Sequence, residues 1–176
     1  MKYILVLTFL FSTTAVMAQT TKNEKYLELV TVCDVINNRA FYDGKVVAVI
    51  GRWSPTDEGF WLADDCSTQI KTGDYVWNNI VSLEYDPSSP TALTNGFKLN
   101  KAAVKKKIAE MKSRLKATKE KTGWAVVYGR VETQEELQTA YALDGKSIFP
   151  AGFGHLNAAP AQVVYRKNDL KVLPNK

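Results

Sequence analysis

The chain has 176 residues, 45% of them hydrophobic, and a formal net charge of +5 at pH 7. After an N-terminal apolar run, no stretch approaches the roughly 20 apolar residues that a transmembrane helix needs, which excludes a helical integral membrane protein. A chain of this length can bury one core, so a single domain is sufficient.

The N-terminus has the pattern of a secretory signal peptide. Lys2 is followed by a short apolar run and then by small residues up to Ala18, where cleavage is expected. We therefore predict a signal peptide over residues 1–18 and a single mature domain over residues 19–176, which is periplasmic or secreted. We expect this domain to be monomeric.

The two cysteines of the chain, Cys33 and Cys66, both belong to the predicted mature domain. An even number of cysteines in an oxidising compartment predicts one disulfide. The alternatives are two free thiols or a metal pair, but no CxxC spacing is present and His155 is the only imidazole in the chain.

The first half of the mature domain predicts one short helix and three strands. The segment KYLELVTVCDVINN has apolar residues at helical spacing, and the predicted helix carries Cys33. The valine-rich segment KVVAVIGRW is a buried strand in which Gly51 marks a bend from one sheet to another, and SPTDEG after it is a turn. The predicted elements are a helix at 25–38 and strands at 45–53, 60–66 and 76–85.

A basic amphipathic helix is predicted between the third and fourth strands, over residues 98–121. Its apolar residues are spaced by 4, 3 and 4 positions, which places them on one helical face, and Asn100 and Gly123 suit its N-cap and its C-terminal stop. Ten lysines or arginines and two glutamates lie in this segment. The apolar face consists of Val104, Ile108, Met111 and Leu115.

Two further strands follow this helix. WAVVYGRV, residues 124–131, repeats the character of the first strand, and AQVVYRKNDLKVL, residues 161–173, is predicted as the last strand. In the polar stretch between them, Thr133 and Glu136 have the spacing of a capping box and predict a short helix. Three strands, a helix and two strands follow one another in the order of the OB-fold, a five-stranded Greek-key barrel. We therefore predict a mainly β fold of this class with an additional N-terminal helix.

The segments YDGKVVAVIGRW, EGFWLADDC and WAVVYGRV together resemble the OB-like domains of small exported bacterial proteins, the BOF-like and tRNA-anti-like families. GFGHLNAAPAQ is similar to the closing segment of one group among them. The likeness extends over nearly the whole mature domain. It implies an OB-type barrel in the cell envelope or outside the cell, and it implies no particular activity.

OB barrels usually bind ligands on the face of strands 2 and 3, between the loops that join strands 1 to 2 and 4 to 5. In this chain that location predicts a ligand face with Trp53, Trp61, Trp77 and His155. Phe60 and Trp61 are neighbours in one strand, so only one of the two rings can face the ligand. The alternative is that most of these rings fill the barrel.

The basic residues of the predicted helix indicate a second interaction surface. A cluster with this charge attracts anionic lipid headgroups or envelope polymers, whereas the alternative is a helix face that is simply solvated. Export argues against nucleic acid as the partner. The residues of this basic patch are Lys105, Lys106, Lys107, Lys112, Arg114, Lys116 and Lys119.

The sequence lacks the common catalytic patterns. It has no G-x-S-x-G nucleophile elbow and no GxxxxGK[ST] phosphate loop. Asp64 and Asp65 are adjacent in a predicted strand, so their side chains diverge and do not form a paired acid and base. One histidine falls short of a zinc site, and we predict no catalytic residues, no metal and no cofactor.

His155 lies among residues that favour a tight backbone corner. Gly152, Gly154 and Asn157 tolerate unusual backbone angles, and Pro160 precedes the last strand without needing an amide donor. We predict a structural role for His155, in which its ring hydrogen-bonds to the backbone where the loop re-enters the barrel. Contact with a ligand is the main alternative.

The function that the sequence favours is that of a non-enzymatic binding or accessory protein, which uses the barrel face and its bordering loops to bind an unknown small ligand or an envelope protein. Association of the basic helix with an anionic membrane or polymer is the second interpretation. An enzyme of unrecognised type is the third.

Overall fold

The structure is a computed structural model that describes residues 27–89, 98–115 and 123–174; the predicted signal peptide lies outside them. Eleven strands and three α-helices occur in the described residues. In chain order they are β1 (Leu29–Thr31), α1 (Val32–Asn37), α2 (Arg39–Tyr42), β2 (Val46–Thr56), β3 (Gly59–Ala63), β4 (Lys71–Thr72), β5 (Tyr75–Val76), β6 (Ile80–Tyr85), α3 (Lys101–Arg114), β7 (Trp124–Thr133), β8 (Thr139–Tyr141), β9 (Ile148–Pro150), β10 (Ala161–Tyr165) and β11 (Leu170–Leu173).

Five of these strands close into a barrel, so the predicted mainly β barrel class is confirmed. β2 pairs with β3, β3 with β6, β10 with β7 and β7 with β2, all antiparallel, while β6 and β10 are parallel. The pairing of β7 with β2 closes the ring. β1 and β11 extend the wall beside β2 and β7.

The predicted bend at Gly51 lies where β2 exchanges one neighbour for another. Arg52, the next residue, is the last to pair with β7 and the first to pair with β3. A side chain at Gly51 would lie 2.8 Å from both the Cβ of Leu62 and a methyl group of Val32. Glycine is therefore required here because the barrel wall and α1 approach each other closely.

The barrel interior is filled mainly by valine, leucine and alanine side chains, and α1 contributes to the same cluster. Val32, Val35 and Ile36 of α1 are fully buried in it. The helix begins at Val32 because Thr31 and Asp34 form a capping box, with the Thr31 hydroxyl accepting from the Asp34 amide at 3.1 Å. The helix predicted over 25–38 is thus shorter, because Leu29–Thr31 pairs with β2 as a strand.

α3 packs on the outer side of β2 and β7. Its apolar face predicted from the sequence contacts Ala48, Ile50 and Val126, and the side chain of Met111 is fully buried there. The side chain of Asn100 accepts a hydrogen bond from the amide of Ala103 at 3.1 Å, so the predicted N-cap is present. The helix ends at Arg114, and the predicted continuation towards residue 121 lies largely outside the described residues.

Two sequence predictions in the second half of the chain are wrong. The short helix expected from Thr133 and Glu136 is absent, because Thr133 ends β7 and the hairpin of β8 and β9 follows. The last strand is divided by a 3₁₀ turn at Lys167–Asp169, so that β10 and β11 pair with different halves of β7. The predicted third strand, in the first half of the chain, is also shorter, since it begins at Ile80.

No helix in the described part of the chain has the length and apolar character needed to cross a membrane.

The predicted disulfide is present. Cys33 in α1 is bonded to Cys66, which follows β3, and their Cα atoms are 5.4 Å apart. The bond joins α1, which contributes to the barrel core, to the segment just beyond β3. It therefore stabilises the end of the barrel at which β3 terminates.

Candidate functional site

A tight hairpin turn precedes β3, at the end of the strand opposite to the disulfide. β2 continues to Thr56 and β3 starts at Gly59, so Asp57 and Glu58 form the turn, which is shorter than the predicted SPTDEG turn. The Thr56 hydroxyl accepts a hydrogen bond from the amide of Glu58 at 3.2 Å. The carboxylate of Glu58 is thereby held at the end of the barrel, where it is 59% exposed.

The register of β3 separates the aromatic side chains of this end onto two faces. Trp61 pairs with Ser82, while Leu62 pairs with Val81 and is buried in the barrel. Successive side chains of a strand alternate, so Trp61 faces outward and Phe60 lies on the side of Leu62. Trp53 lies on that side too, and its ring stacks on Phe60 with centroids 5.4 Å apart. Phe60 is 45% exposed, so the stack reaches solvent.

The outward face of β3 and β6 is covered by the chain itself, through the loop at residues 151–159. A Cβ atom on Gly154 would lie 2.5 Å from the hydroxyl of Ser82 and 3.3 Å from the indole nitrogen of Trp61. The backbone at Gly154 therefore lies directly on the two strands, and Ser82 is buried beneath it. This is the face that the sequence predicted for a ligand.

The 151–159 loop is held by its own backbone hydrogen bonds. Phe153 and Ala159 exchange two of them, at 2.8 and 3.2 Å, and the Gly152 amide donates to the carbonyl of Asn157 at 2.8 Å. Gly154 and Asn157 have φ values of +72° and +51°, in agreement with the predicted corner. Leu156, which the sequence did not single out, has φ +60°.

Leu156 is the unusual residue of this loop. Its backbone conformation is unfavourable for any residue with a Cβ, by about 1–2 kcal/mol. Its side chain is 72% exposed, so burial does not compensate for this conformation. No sequence signal points to Leu156, because leucine is not a residue that favours positive φ.

His155 joins the two loops that border this end of the barrel. Its Nε2 lies 3.1 Å from Oε2 of Glu58, and the imidazole is 41% exposed. Its partner is therefore a carboxylate on the hairpin turn, whereas a backbone partner was predicted. We refer to Glu58, Phe60, Trp61, His155 and Leu156 together as the rim site.

Trp77, the remaining predicted ligand residue, is buried with 2% exposure. Its indole N–H donates to the hydroxyl of Thr72 at 2.9 Å, and its ring packs edge-on against Tyr75. A side chain on Gly152 would clash with the ring, so the 151–159 loop also covers Trp77. Trp77 therefore packs beneath the 151–159 loop, which carries His155 and Leu156, and its ring is not accessible to a ligand.

The predicted basic patch on α3 is divided between bonded and exposed residues. Lys107 forms an ion pair with Asp34 at 3.0 Å, and Arg114 forms one with the buried Asp64 at 2.7 Å. Burial alone would raise the pKa of Asp34, but the Thr31 amide and Lys107 outweigh it and lower that pKa below its usual value of 3.8. Lys105, Lys106 and Lys112 are exposed, and Lys116 and Lys119 lie outside the described residues.

A cleft of about 680 Å³ lies at the far end of β3, beside the disulfide. Asp64 and Asp65 diverge as predicted, since Asp64 contacts Arg114 and Asp65 contacts Arg52 at 3.1 Å. Each carboxylate is therefore bound by a different arginine. The lining residues are Asp65, Cys66, Ser67, Gln69, Asn79 and Arg114.

Within the described residues, no group of three or more histidine, cysteine, aspartate or glutamate side chains is placed to hold a metal ion. No family model, curated protein or solved structure matches the chain.

Proposed function

We propose that the protein is an exported, non-enzymatic binding module with an OB-type barrel, and that it binds a protein partner through the rim site. The OB assignment is supported by the order of the strands around the barrel. Numbered along the chain, they follow one another as 1, 2, 3, 5 and 4, with α3 inserted before the fourth. A Greek-key barrel with a helix in this place is the arrangement that the resemblance to exported OB-like domains implies.

The observation that carries the proposal is the conformation of Leu156. An exposed leucine held at positive φ contributes nothing to stability that a glycine would not provide better. Strained residues of this kind concentrate at binding sites, where the surrounding structure keeps them in place. The ladder of backbone hydrogen bonds around Leu156 and the contact between His155 and Glu58 provide that support here.

A protein partner fits the rim site better than a small molecule. A small ligand would need a concave face, whereas the outward face of β3 and β6 is covered by the 151–159 loop. Phe60, in the first part of β3, and Leu156, on the 151–159 loop, instead expose apolar surface on two segments that the contact between His155 and Glu58 connects. Exposed apolar side chains beside charged groups are typical of protein interfaces.

A binding role is also consistent with the setting of the charged groups. His155 and Glu58 are both open to solvent, and each of the two adjacent aspartates is paired with an arginine. The two aspartates are bonded to different arginines and do not form an acid pair.

The proposal is tested by photo-crosslinking in envelope extract of the source organism. A photoreactive residue replaces Leu156, and a matched control replaces Val172, which is 55% exposed on β11. We expect a discrete protein adduct from position 156 alone. The captured protein is then purified, and its affinity is measured by calorimetry for the unmodified chain, for Phe60→Ser with Leu156→Ser, and for Val172→Ser.

We expect the rim double variant to bind at least about tenfold more weakly and the control to bind normally, because apolar contacts at an interface centre dominate its affinity. Equal weakening by both variants, or adducts that are the same from both positions, would contradict the proposal.

A further inference from the structure

The basic residues on the two edges of α3 differ in whether they form ion pairs with the rest of the protein. On one edge, Lys107 and Arg114 reach Asp34 in α1 and Asp64 at the end of β3. Glu110, the only acid in the helix, also contacts these two residues, at 3.7 and 3.0 Å. The positive charge of this edge is thus neutralised within the protein and fastens the helix to the barrel.

The opposite edge carries Lys101, Lys105 and Lys112. Residues of an α-helix are separated by 100° of rotation, so these three lie within about 40° of one another and span about 16 Å along the axis. All three are exposed, and none forms an ion pair within the described part of the chain. We call them the lysine row.

Helix stability does not explain Lys101, the first residue of the lysine row. The first turn of α3 contains no acidic residue, although the N-terminus of a helix favours negative charge. Lys101 therefore lies where its charge opposes the helix dipole, and an acid or a neutral residue there would stabilise the helix. The pattern is the one expected where an external anion supplies the missing negative charge.

We propose that the lysine row is a docking surface for a linear polyanion with phosphate groups along its length. Lys101 and Lys105 are about 6 Å apart along the helix axis and Lys112 about 10 Å further, which arranges the charges in a line along a convex surface. None of the large apolar side chains exposed in the described residues belongs to α3. An interfacial membrane helix uses such side chains to enter the lipid, so a polymer fits this surface better than a bilayer.

The experiment measures binding of fluorescently labelled inorganic polyphosphate by anisotropy, using the chain without its predicted signal peptide. The test variant is Lys101→Gln with Lys105→Gln and Lys112→Gln. The control is Lys71→Gln with Lys146→Gln and Lys167→Gln, three exposed lysines on other elements, so that both variants have the same net charge. Glutamine is a good helix former, and α3 is expected to persist.

We expect the test variant to bind at least about tenfold more weakly at low salt, because each lysine close to a polyanion contributes to the binding free energy and three such contributions are lost together. The logarithm of its affinity should also depend less steeply on the logarithm of salt concentration. The control should bind almost normally, and the rim double variant Phe60→Ser with Leu156→Ser should bind normally too, which separates this surface from the rim site.

Equal weakening by the test and control variants would show that net charge alone attracts the polymer, and the proposal would be overturned. The same holds if the unmodified chain does not bind polyphosphate at low salt. Vesicles of phosphatidylglycerol form the last arm: binding to them through the three lysines, with no binding to polyphosphate, would establish a membrane surface in place of a polymer site. Unchanged melting temperatures of both variants exclude unfolding as the cause.

Discussion

The two ends of β3 differ in how their side chains are used. Beyond its last residue, Asp64, Asp65 and Cys66 bind Arg114, Arg52 and Cys33, so three consecutive residues are bonded to distant parts of the chain. Before its first residue, Glu58 contacts a single exposed histidine. One end of the barrel is closed by bonds that stabilise the fold, and the other exposes residues that stability alone does not require.

We therefore expect substitutions at the closed end to affect folding and substitutions at the rim site to affect binding. At the closed end the partners are buried, partly buried or covalently bonded, so the loss of one leaves a group that water does not fully reach without its partner. At the rim the groups are solvated, and water replaces whatever contact is lost. Three predictions test this contrast.

The largest effect is expected from removing the disulfide at the closed end. Cys33→Ser with Cys66→Ser should lower the free energy of unfolding by about 4 kcal/mol, because the open chain gains conformational entropy when it unfolds. Urea denaturation measures the change. The rim variant His155→Ala should lose less than about 1 kcal/mol, because its contact with Glu58 is exposed and water replaces it; a larger loss at His155 than at the disulfide would reverse the contrast.

Removing the arginine that pairs with Asp64 should have the next largest effect. Asp64 is 3% exposed, and Arg114→Gln leaves its carboxylate buried without a cation. We expect a loss of about 2 kcal/mol, less than for a fully buried pair because Arg114 remains partly exposed. Lys112→Gln, on the opposite edge of the same helix, should change stability by no more than about 0.5 kcal/mol. Equal losses would mean that the pairing of Arg114 contributes little.

The smallest effect is expected at Asp34 and depends on pH. Its pKa in the folded protein lies below the usual value of 3.8, so the carboxylate stabilises the fold above that pH, and this contribution disappears as the pH falls through the folded pKa. Asp34→Asn should therefore lower stability by about 1 kcal/mol at neutral pH, the usual size for a lost capping contact. The difference from the unmodified chain should vanish in acid below the folded pKa. A difference that stays constant down to pH 2 would contradict this explanation.

Several features of this fold could be predicted because they depend on neighbouring residues. The cap at Asn100 and the apolar face of α3 follow from the spacing of residues within one helix. The alternation of Phe60 and Trp61 follows from the geometry of a strand. Cys33 and Cys66 could be paired because the chain has no other cysteine.

The rim site could be predicted only in part. The glycines and Asn157 marked the corner, but the position of the corner over β3 and β6 depends on how the barrel closes. The sequence makes Trp77 either a ligand-face residue or a core ring, and it is buried because the hairpin of β4 and β5 and the 151–159 loop both pack on it. A pattern of aromatic residues cannot distinguish a ring that faces solvent from one that a distant loop covers.

The sequence by itself determined the barrel class, the capped helix and the single disulfide, because periodicity, capping and cysteine number are properties of the chain before it folds. Only the tertiary structure decided which charges are free. Lys107 meets Asp34 across 73 positions and Arg114 meets Asp64 across 50, while Lys101, Lys105 and Lys112 are left exposed on the other edge. The physical reason is that an ion pair depends on separation in space, which is set when the helix packs on the barrel.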